Sequence, residues 1–187
     1  MRKLTVIAAA APWPFRALAV PLTAASARTP TPARLDIAAG PTDVLARVRP
    51  AADFRLDYRS GLSLLPCLRH LFTLQPFVGV ETTSRHSVWG GGGVELDAHW
   101  GQWFMSPTVA VSGYARGAGK KLGSIVEFRS TAEAGWRFDD GLRLSVLFSH
   151  TSNAGLTRSN PGTEALPVSV RVPIGALFGN EGNIRSA

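Results

Sequence analysis

Three residues in the last quarter of the chain carry the side chains that nucleophilic catalysis requires. His150 and Ser152 stand two positions apart, and Glu164 follows further along the chain. A serine hydroxyl becomes an effective nucleophile when a neighbouring base accepts its proton and a third group orients that base. Ser152, His150 and Glu164 could fill the roles of nucleophile, base and acid in such a triad.

The residues beside this trio could stabilise the charge that develops during the reaction. Backbone N–H groups next to a nucleophile can hold an oxyanion, and Asn153 and Gly155 are placed to supply them. The side-chain amide of Asn160 could brace the same loop. Each signal alone is weak, because a His-x-Ser pair is common and Asn-Pro-Gly usually marks only a turn.

An alternation of apolar and polar side chains with a period of two predicts the strands that would hold these residues. Successive side chains of a strand point to opposite faces, so His150 and Ser152 share the apolar face of their segment. We expect Glu164 and Phe128 on the apolar faces of neighbouring segments. Eight segments alternate in this way: 34–40, 52–59, 72–81, 88–100, 103–112, 124–138, 142–152 and 164–174.

The alternation leaves open which face of the sheet is inside. A lipocalin-type barrel has an apolar interior, whereas a transmembrane barrel is polar inside and apolar outside. The even strand count, the aromatic residues near strand ends and an N-terminal leader favour the membrane version. We therefore predict an all-β protein, an eight-stranded antiparallel transmembrane β-barrel with a polar interior and an apolar exterior. Polar groups on a lipid-facing surface are costly, which favours a functional role for the trio.

Length and composition exclude several other classes of protein. The chain has 187 residues, 45% of them hydrophobic and 18% charged, which excludes a disordered protein. Its apolar runs are shorter than the roughly 20 residues that a membrane helix needs. A single cysteine, Cys67, excludes an internal disulfide and a zinc site built on several thiolates.

The chain is expected to contain one domain between two short terminal segments. Residues 1–27 have the basic start, apolar middle and small-residue end of a secretory signal peptide, although Pro12 to Arg16 interrupt the apolar stretch. We assign residues 28–178 to the barrel and residues 179–187 to a C-terminal extension. Pro167 falls inside the last predicted strand, where it removes a hydrogen-bond donor.

The four predicted external loops are basic. They cover residues 41–50, 82–87, 115–123 and 153–163 and carry seven cations against Asp43, a net charge of +6. Such a rim suits an anionic surface such as phosphorylated lipid headgroups, but loops that are merely solvated would look the same. The cations are Arg47, Arg49, Arg85, Arg116, Lys120, Lys121 and Arg158.

Five stretches of the sequence carry a family resemblance. They are residues 119–124 (GKKLGS), 127–130 (EFRS), 135–141 (GWRFDDG), 148–155 (FSHTSNAG) and 160–164 (NPGTE). Together they resemble the PagL-type lipid A 3-O-deacylases, also called acyloxyacyl hydrolases, of Gram-negative outer membranes. The resemblance is strong over about residues 76–174 and fainter over 34–75.

This resemblance implies an outer-membrane enzyme that hydrolyses the ester-linked 3-hydroxyacyl chain at the 3-position of lipid A. Lipid A, or the whole lipopolysaccharide, would be its partner in the outer leaflet, and no metal or organic cofactor is implied. The implied site residues are the nucleophile Ser152, the base His150, the acid Glu164, the oxyanion-hole residues Asn153 and Gly155, the supporting Asn160 and the acyl-chain contact Phe128.

Other interpretations remain open at this point. A small outer-membrane barrel with a structural or adhesive role would show the same strand pattern without being an enzyme. A secreted lipocalin-like binder is the soluble alternative. We expect no nucleic-acid partner, and the sequence leaves open whether the protein is a homodimer.

Overall fold

The computed structural model describes residues 32–66 and 72–177, which form one antiparallel sheet that closes on itself. Its first strand pairs with both the second and the last, so the sheet is a barrel. Within the described residues, no helix is long and apolar enough to cross a membrane. The elements are β1 (Arg34–Thr42), β2 (Ala51–Arg59), β3 (Thr73–Thr83), β4 (Val88–Trp100), β5 (Trp103–Met105), β6 (Thr108–Ala115), β7 (Val126–Arg137), β8 (Arg143–Ser152), β9 (Thr163–Ala165), β10 (Val168–Pro173) and α1 (Ile174–Leu177).

The predicted signal peptide at 1–27, the extension at 179–187 and Cys67 lie outside the described residues. The predicted domain limits therefore remain predictions. All eight predicted strands fall within the barrel, and the eight-stranded antiparallel fold is confirmed.

Prolines divide two of the eight barrel strands into two segments each. Pro107 lies between β5 and β6, and Pro167 lies between β9 and β10. Proline has no N–H to donate to a ladder. The carbonyls of Pro107 and Pro167 still accept the N–H groups of Leu96 and Leu147, each at 2.9 Å. The barrel wall therefore continues past each break.

The side chains that point into the barrel are polar, and those that point outward are apolar. In β8 every odd-numbered residue is buried, whereas Leu144, Val146 and Phe148 are exposed. The same inversion recurs around the barrel, where the buried residues are mostly polar or charged and the exposed ones include many large hydrophobics. This arrangement is that of a transmembrane barrel, so the lipocalin-type alternative is wrong.

Ion pairs fill the barrel interior. The fully buried guanidinium of Arg171 contacts Glu95 at 3.0 Å, Glu133 at 2.6 Å and Asp36 at 3.2 Å. Arg59 shares Asp36 with it, at 3.0 Å. A charge removed from water is tolerated only when it is paired, so these side chains stabilise the interior as a connected network.

The two ends of the barrel differ in their connections. The loops 43–50, 84–87, 116–125 and 153–162 all lie at one end, because antiparallel neighbours alternate in direction. At the other end, residues 101–102 and 138–142 form short turns, while the connection 60–72 is longer and described only in part. Near this end the rings of Trp103 and Trp136 meet edge to face with centroids 5.0 Å apart, in the position of an interfacial aromatic belt.

Candidate active site

His150 and Glu164 form a hydrogen-bonded pair on the outer surface of the barrel. They are direct cross-strand neighbours in the ladder between β8 and β9. Nδ1 of His150 lies 3.0 Å from Oε1 of Glu164. The imidazole side chain is 46% exposed and the carboxylate only 15%, so the ring shields its partner. With Nδ1 donating to an ionised carboxylate, Nε2 of His150 is left as the basic nitrogen.

Ser152 lies on the same outward face, two residues beyond His150. It is partly buried and is the direct cross-strand neighbour of Phe128 in β7, whose ring is 39% exposed. Among the hydrogen bonds of the described residues there is none between the Ser152 hydroxyl and His150. Such bonds are often long in a free enzyme and shorten when the substrate binds. The structure thus joins the predicted base and acid by a hydrogen bond and places Ser152 on the same outward face.

A tight turn follows Ser152. Ala154 and Gly155 occupy its centre with φ values of +52° and +82°. The N–H of Leu156 donates to the carbonyl of Asn153 at 3.0 Å, which together with these angles is typical of a type I′ turn. The buried side-chain amide of Asn153 fixes the turn by donating to oxygens of Leu122, Thr157 and Ser159.

The backbone donors of this turn differ in availability. The N–H of Asn153 donates to Oδ1 of Asn160 at 2.9 Å, and the N–H of Gly155 donates to Oδ1 of Asn153 at 3.0 Å. Within the described part of the chain, the N–H of Ala154 has no acceptor. A left-handed conformation costs alanine roughly 1–2 kcal/mol, and such strain is concentrated at functional sites. Sequence reasoning missed Ala154, whose only signal is its position between Asn153 and Gly155.

Gly162 supports the imidazole of His150 from the loop that leads into β9. Its φ is +59°, and a Cβ placed there would lie 2.8 Å from Cε1 of the His150 ring. Only glycine combines this backbone conformation with this close approach. In the sequence Gly162 stands out only as part of an Asn-Pro-Gly turn, so its close approach to His150 was not predicted.

The basic loops surround the barrel end nearest to this site. Most of their cations are exposed: Arg47, Arg49, Arg116, Lys121 and Arg158. Lys120 differs, because it is partly buried and its Nζ lies 2.5 Å from Oδ1 of Asp43. Burial alone would raise the pKa of Asp43, but the N–H of Arg49 and the ammonium of Lys120 outweigh burial and lower that pKa below its ordinary value.

These features define a membrane-embedded β-barrel with a candidate hydrolytic site on its outer surface. The model of the lipid A 3-O-deacylase (PagL) family matches residues 53–173. The chain belongs to the lipid A 3-O-deacylase (PagL) family, as the resemblance predicted. The apolar outer surface and this family membership place the barrel in the bacterial outer membrane.

Solved structures show the same fold. The crystal structure of the outer membrane enzyme PagL is similar with a TM-score of 0.58 and 21% identity, covering 75% of this chain and 99% of that one. A de novo designed transmembrane β-barrel is similar with a TM-score of 0.52 and 12% identity, covering 78% and 98% of the two chains. Among curated proteins, none matches the sequence significantly.

Proposed function

We propose that this protein is a serine esterase that removes the ester-linked 3-hydroxyacyl chain from the 3-position of lipid A. The main support for this proposal is the 3.0 Å hydrogen bond between His150 and Glu164 on the outward face, beside Ser152. A polar, ionisable pair is costly on a surface that faces lipid. Its position there, in a chain of this family, supports catalysis on a substrate that is itself part of the membrane.

In the first step, Oγ of Ser152 attacks the carbonyl carbon of the ester while Nε2 of His150 accepts the hydroxyl proton. The carboxylate of Glu164 holds the imidazole and stabilises its positive charge. The bond between the acyl carbon and the sugar oxygen then breaks, and His150 donates the proton to that leaving oxygen. The products are the 3-O-deacylated lipid and an acyl group esterified to Ser152.

In the second step, water replaces the sugar hydroxyl. His150 takes a proton from the water, the resulting hydroxide attacks the acyl carbon, and the 3-hydroxy fatty acid leaves as Ser152 regains its proton. The side chains of the triad and water suffice for both steps.

The turn after Ser152 is the proposed oxyanion hole. The unpaired N–H of Ala154 is the donor best placed to meet a developing negative charge, since those of Asn153 and Gly155 already donate within the loop. In this assignment Asn153 and Asn160 keep the turn rigid, and Gly155 supplies the positive φ that the turn needs. The alternative prediction, that the Asn153 and Gly155 groups donate directly, requires their present hydrogen bonds to open.

The surroundings of the triad suit a lipid with an anionic headgroup. Phe128 borders Ser152 on the lipid-facing surface, where it could pack against the acyl chain that is cleaved. The exposed cations of the loops lie at the same end of the barrel and could bind the phosphates of lipid A. The ester would then lie at the level of the triad, between headgroup and hydrocarbon.

The decisive experiment is mass spectrometry of lipid A from cells that express the wild type or Ser152→Ala. We expect the wild type to remove one hydroxyacyl unit and the variant to remove none, because loss of a nucleophile lowers the rate by about 10⁴-fold or more. Heat-modifiable migration on gels would show that both proteins fold.

Ser130→Ala is the matched control. Ser130 is exposed on β7 and lies directly opposite His150 in the ladder, so it is the other serine on this face beside the base. We expect its replacement to leave deacylation unchanged. Loss of activity only in Ser130→Ala would assign the nucleophile to that residue instead. A folded wild-type barrel that leaves lipid A intact would favour the structural or adhesive alternative.

A further inference from the structure

A buried ion pair joins two external loops across the barrel end that carries the triad. Nζ of Lys120 in loop 116–125 lies 2.5 Å from Oδ1 of Asp43 in loop 43–50. The other oxygen of Asp43 accepts the N–H of Arg49 at 2.6 Å. Asp43 is only 1% exposed and has a φ of +57°, which few residues other than glycine tolerate. Its carboxylate therefore ties its own loop together and connects it to the second one.

The Lys120 side of this pair is anchored to the barrel wall. The hydroxyl of Tyr114, in β6, donates to the carbonyl of Lys120 at 2.8 Å. In the same loop the carbonyl of Arg116 accepts the hydroxyl of Ser87 at 2.7 Å. The backbone of Lys120 is therefore held in place, and its ammonium group holds the carboxylate of Asp43.

The Asp43 side of the pair leads directly to the proposed acid. The N–H of Val44, the next residue, donates to the backbone carbonyl of Glu164 at 3.3 Å. β9, which carries Glu164, has only three residues and pairs with β1 through the single register position Thr42↔Ala165. On the side away from β8, Glu164 is therefore held by the C-terminal end of β1 and by Val44, the residue after Asp43.

We propose that Asp43 and Lys120 are positioning residues that hold Glu164 in hydrogen-bonding distance of His150. The proposal rests on the triad assigned above. Breaking the pair leaves a buried charge without a partner, which loosens loop 43–50 and the Val44 N–H with it. Glu164 then supports the imidazole for a smaller fraction of the time. The effect should fall on the chemical step, because neither residue needs to touch the substrate.

The variants to test are Asp43→Asn, Lys120→Met and the two combined, in the full chain with lipopolysaccharide as substrate. We expect each single variant to lower kcat about tenfold, since small displacements of catalytic groups are costly, while KM changes less than about twofold. The double variant should lose no more activity than either single variant, because the two residues act as a unit.

Asp140→Asn, in a turn at the opposite barrel end, is the control. It replaces an exposed aspartate whose side chain likewise accepts a backbone N–H, that of Leu142.

A further readout separates positioning from a general structural role. In a Glu164→Gln background, Asp43→Asn should cost nothing further. Lys120→Met tests the same pair if Asp43→Asn does not fold.

These variants distinguish a failure of the positioning role from a failure of the proposed triad. If Glu164→Gln has full activity, the triad itself is wrong. If Glu164→Gln is slow but Asp43→Asn and Lys120→Met match the wild type, the triad stands and the positioning role is overturned. An equal loss from Asp43→Asn in the wild-type and Glu164→Gln backgrounds would also overturn it, because the effect would not pass through the acid.

Discussion

At the scale of single residues, the orientation of His150 depends on two contacts of different kinds. Oε1 of Glu164 holds Nδ1 by a hydrogen bond, and the backbone of Gly162 lies against the ring edge around Cε1. The first contact selects the tautomer, and the second limits how far the ring can rotate. A residue with no side chain therefore contributes to the orientation of the proposed base.

Gly162→Ala tests the second contact. The new methyl group would lie 2.8 Å from Cε1 of His150, so the ring must move. We expect deacylation to fall by on the order of a hundredfold while the barrel still folds. Gly101→Ala is matched in backbone strain, with a φ of +61° against +59°, but its methyl group would meet nothing within 4 Å. Similar activities for the two variants would show that the contact with His150 does not matter.

At the scale of elements, Glu164, the proposed acid, lies on a strand of three residues that is bonded on both sides. β8 holds β9 through three register pairs, and Pro167, which has no N–H to donate, follows Leu166 before β10 begins. The remaining support comes from the end of β1, which pairs with β9 at Thr42↔Ala165, and from the loop that begins at Asp43. The carboxylate of Asp43 is paired with Lys120 and the N–H of Arg49. The strand that holds the proposed acid is thus bonded to a loop far away in sequence.

This loop contact should respond to pH in a defined direction. Because the pKa of Asp43 is lowered by folding, its carboxylate stabilises the native state above its unfolded pKa of about 4 and loses that effect as the pH falls through the folded pKa. We expect Asp43→Asn to unfold at a lower temperature than the wild type at neutral pH. The difference should shrink progressively below about pH 4. Heat-modifiable migration across this range measures it, and a difference independent of pH would contradict the assignment.

At the scale of the whole molecule, the fold depends on charges that are isolated from both water and lipid. Arg171 connects Glu95, Glu133 and Asp36 in the centre of the barrel, and Arg59 contacts the same three carboxylates. Removing Arg171 leaves three buried carboxylates with one cation fewer among them, which is more costly than losing an exposed ion pair.

Arg171→Met should therefore destabilise the barrel by about 3–5 kcal/mol. Arg158→Met, in an exposed loop, should change stability by less than about 0.5 kcal/mol. Urea unfolding in lipid vesicles, followed by tryptophan fluorescence, would measure both. Equal stabilities for the two variants would show that the interior charges do not act as a network.

Much of the barrel was predictable because strand periodicity is a local property. Alternation located all eight strands and placed His150 and Ser152 on one face, and motif similarity identified the family. Pro167 was recognised as a break in the last strand, whereas the equivalent break at Pro107 was missed because the apolar pattern continues across it.

The strands, the shared face of the candidate triad and the family follow from side-chain period and local motif, so they could be predicted from the sequence. The polar interior was also predicted, but closure of the sheet was needed to confirm it, because alternation is symmetrical until the sheet closes. The contact of Gly162 with His150, the unpaired N–H of Ala154 and the link from Lys120 through Asp43 to Glu164 also required the fold. Each joins groups whose distance is set by barrel closure and loop packing, which no periodicity along the chain encodes.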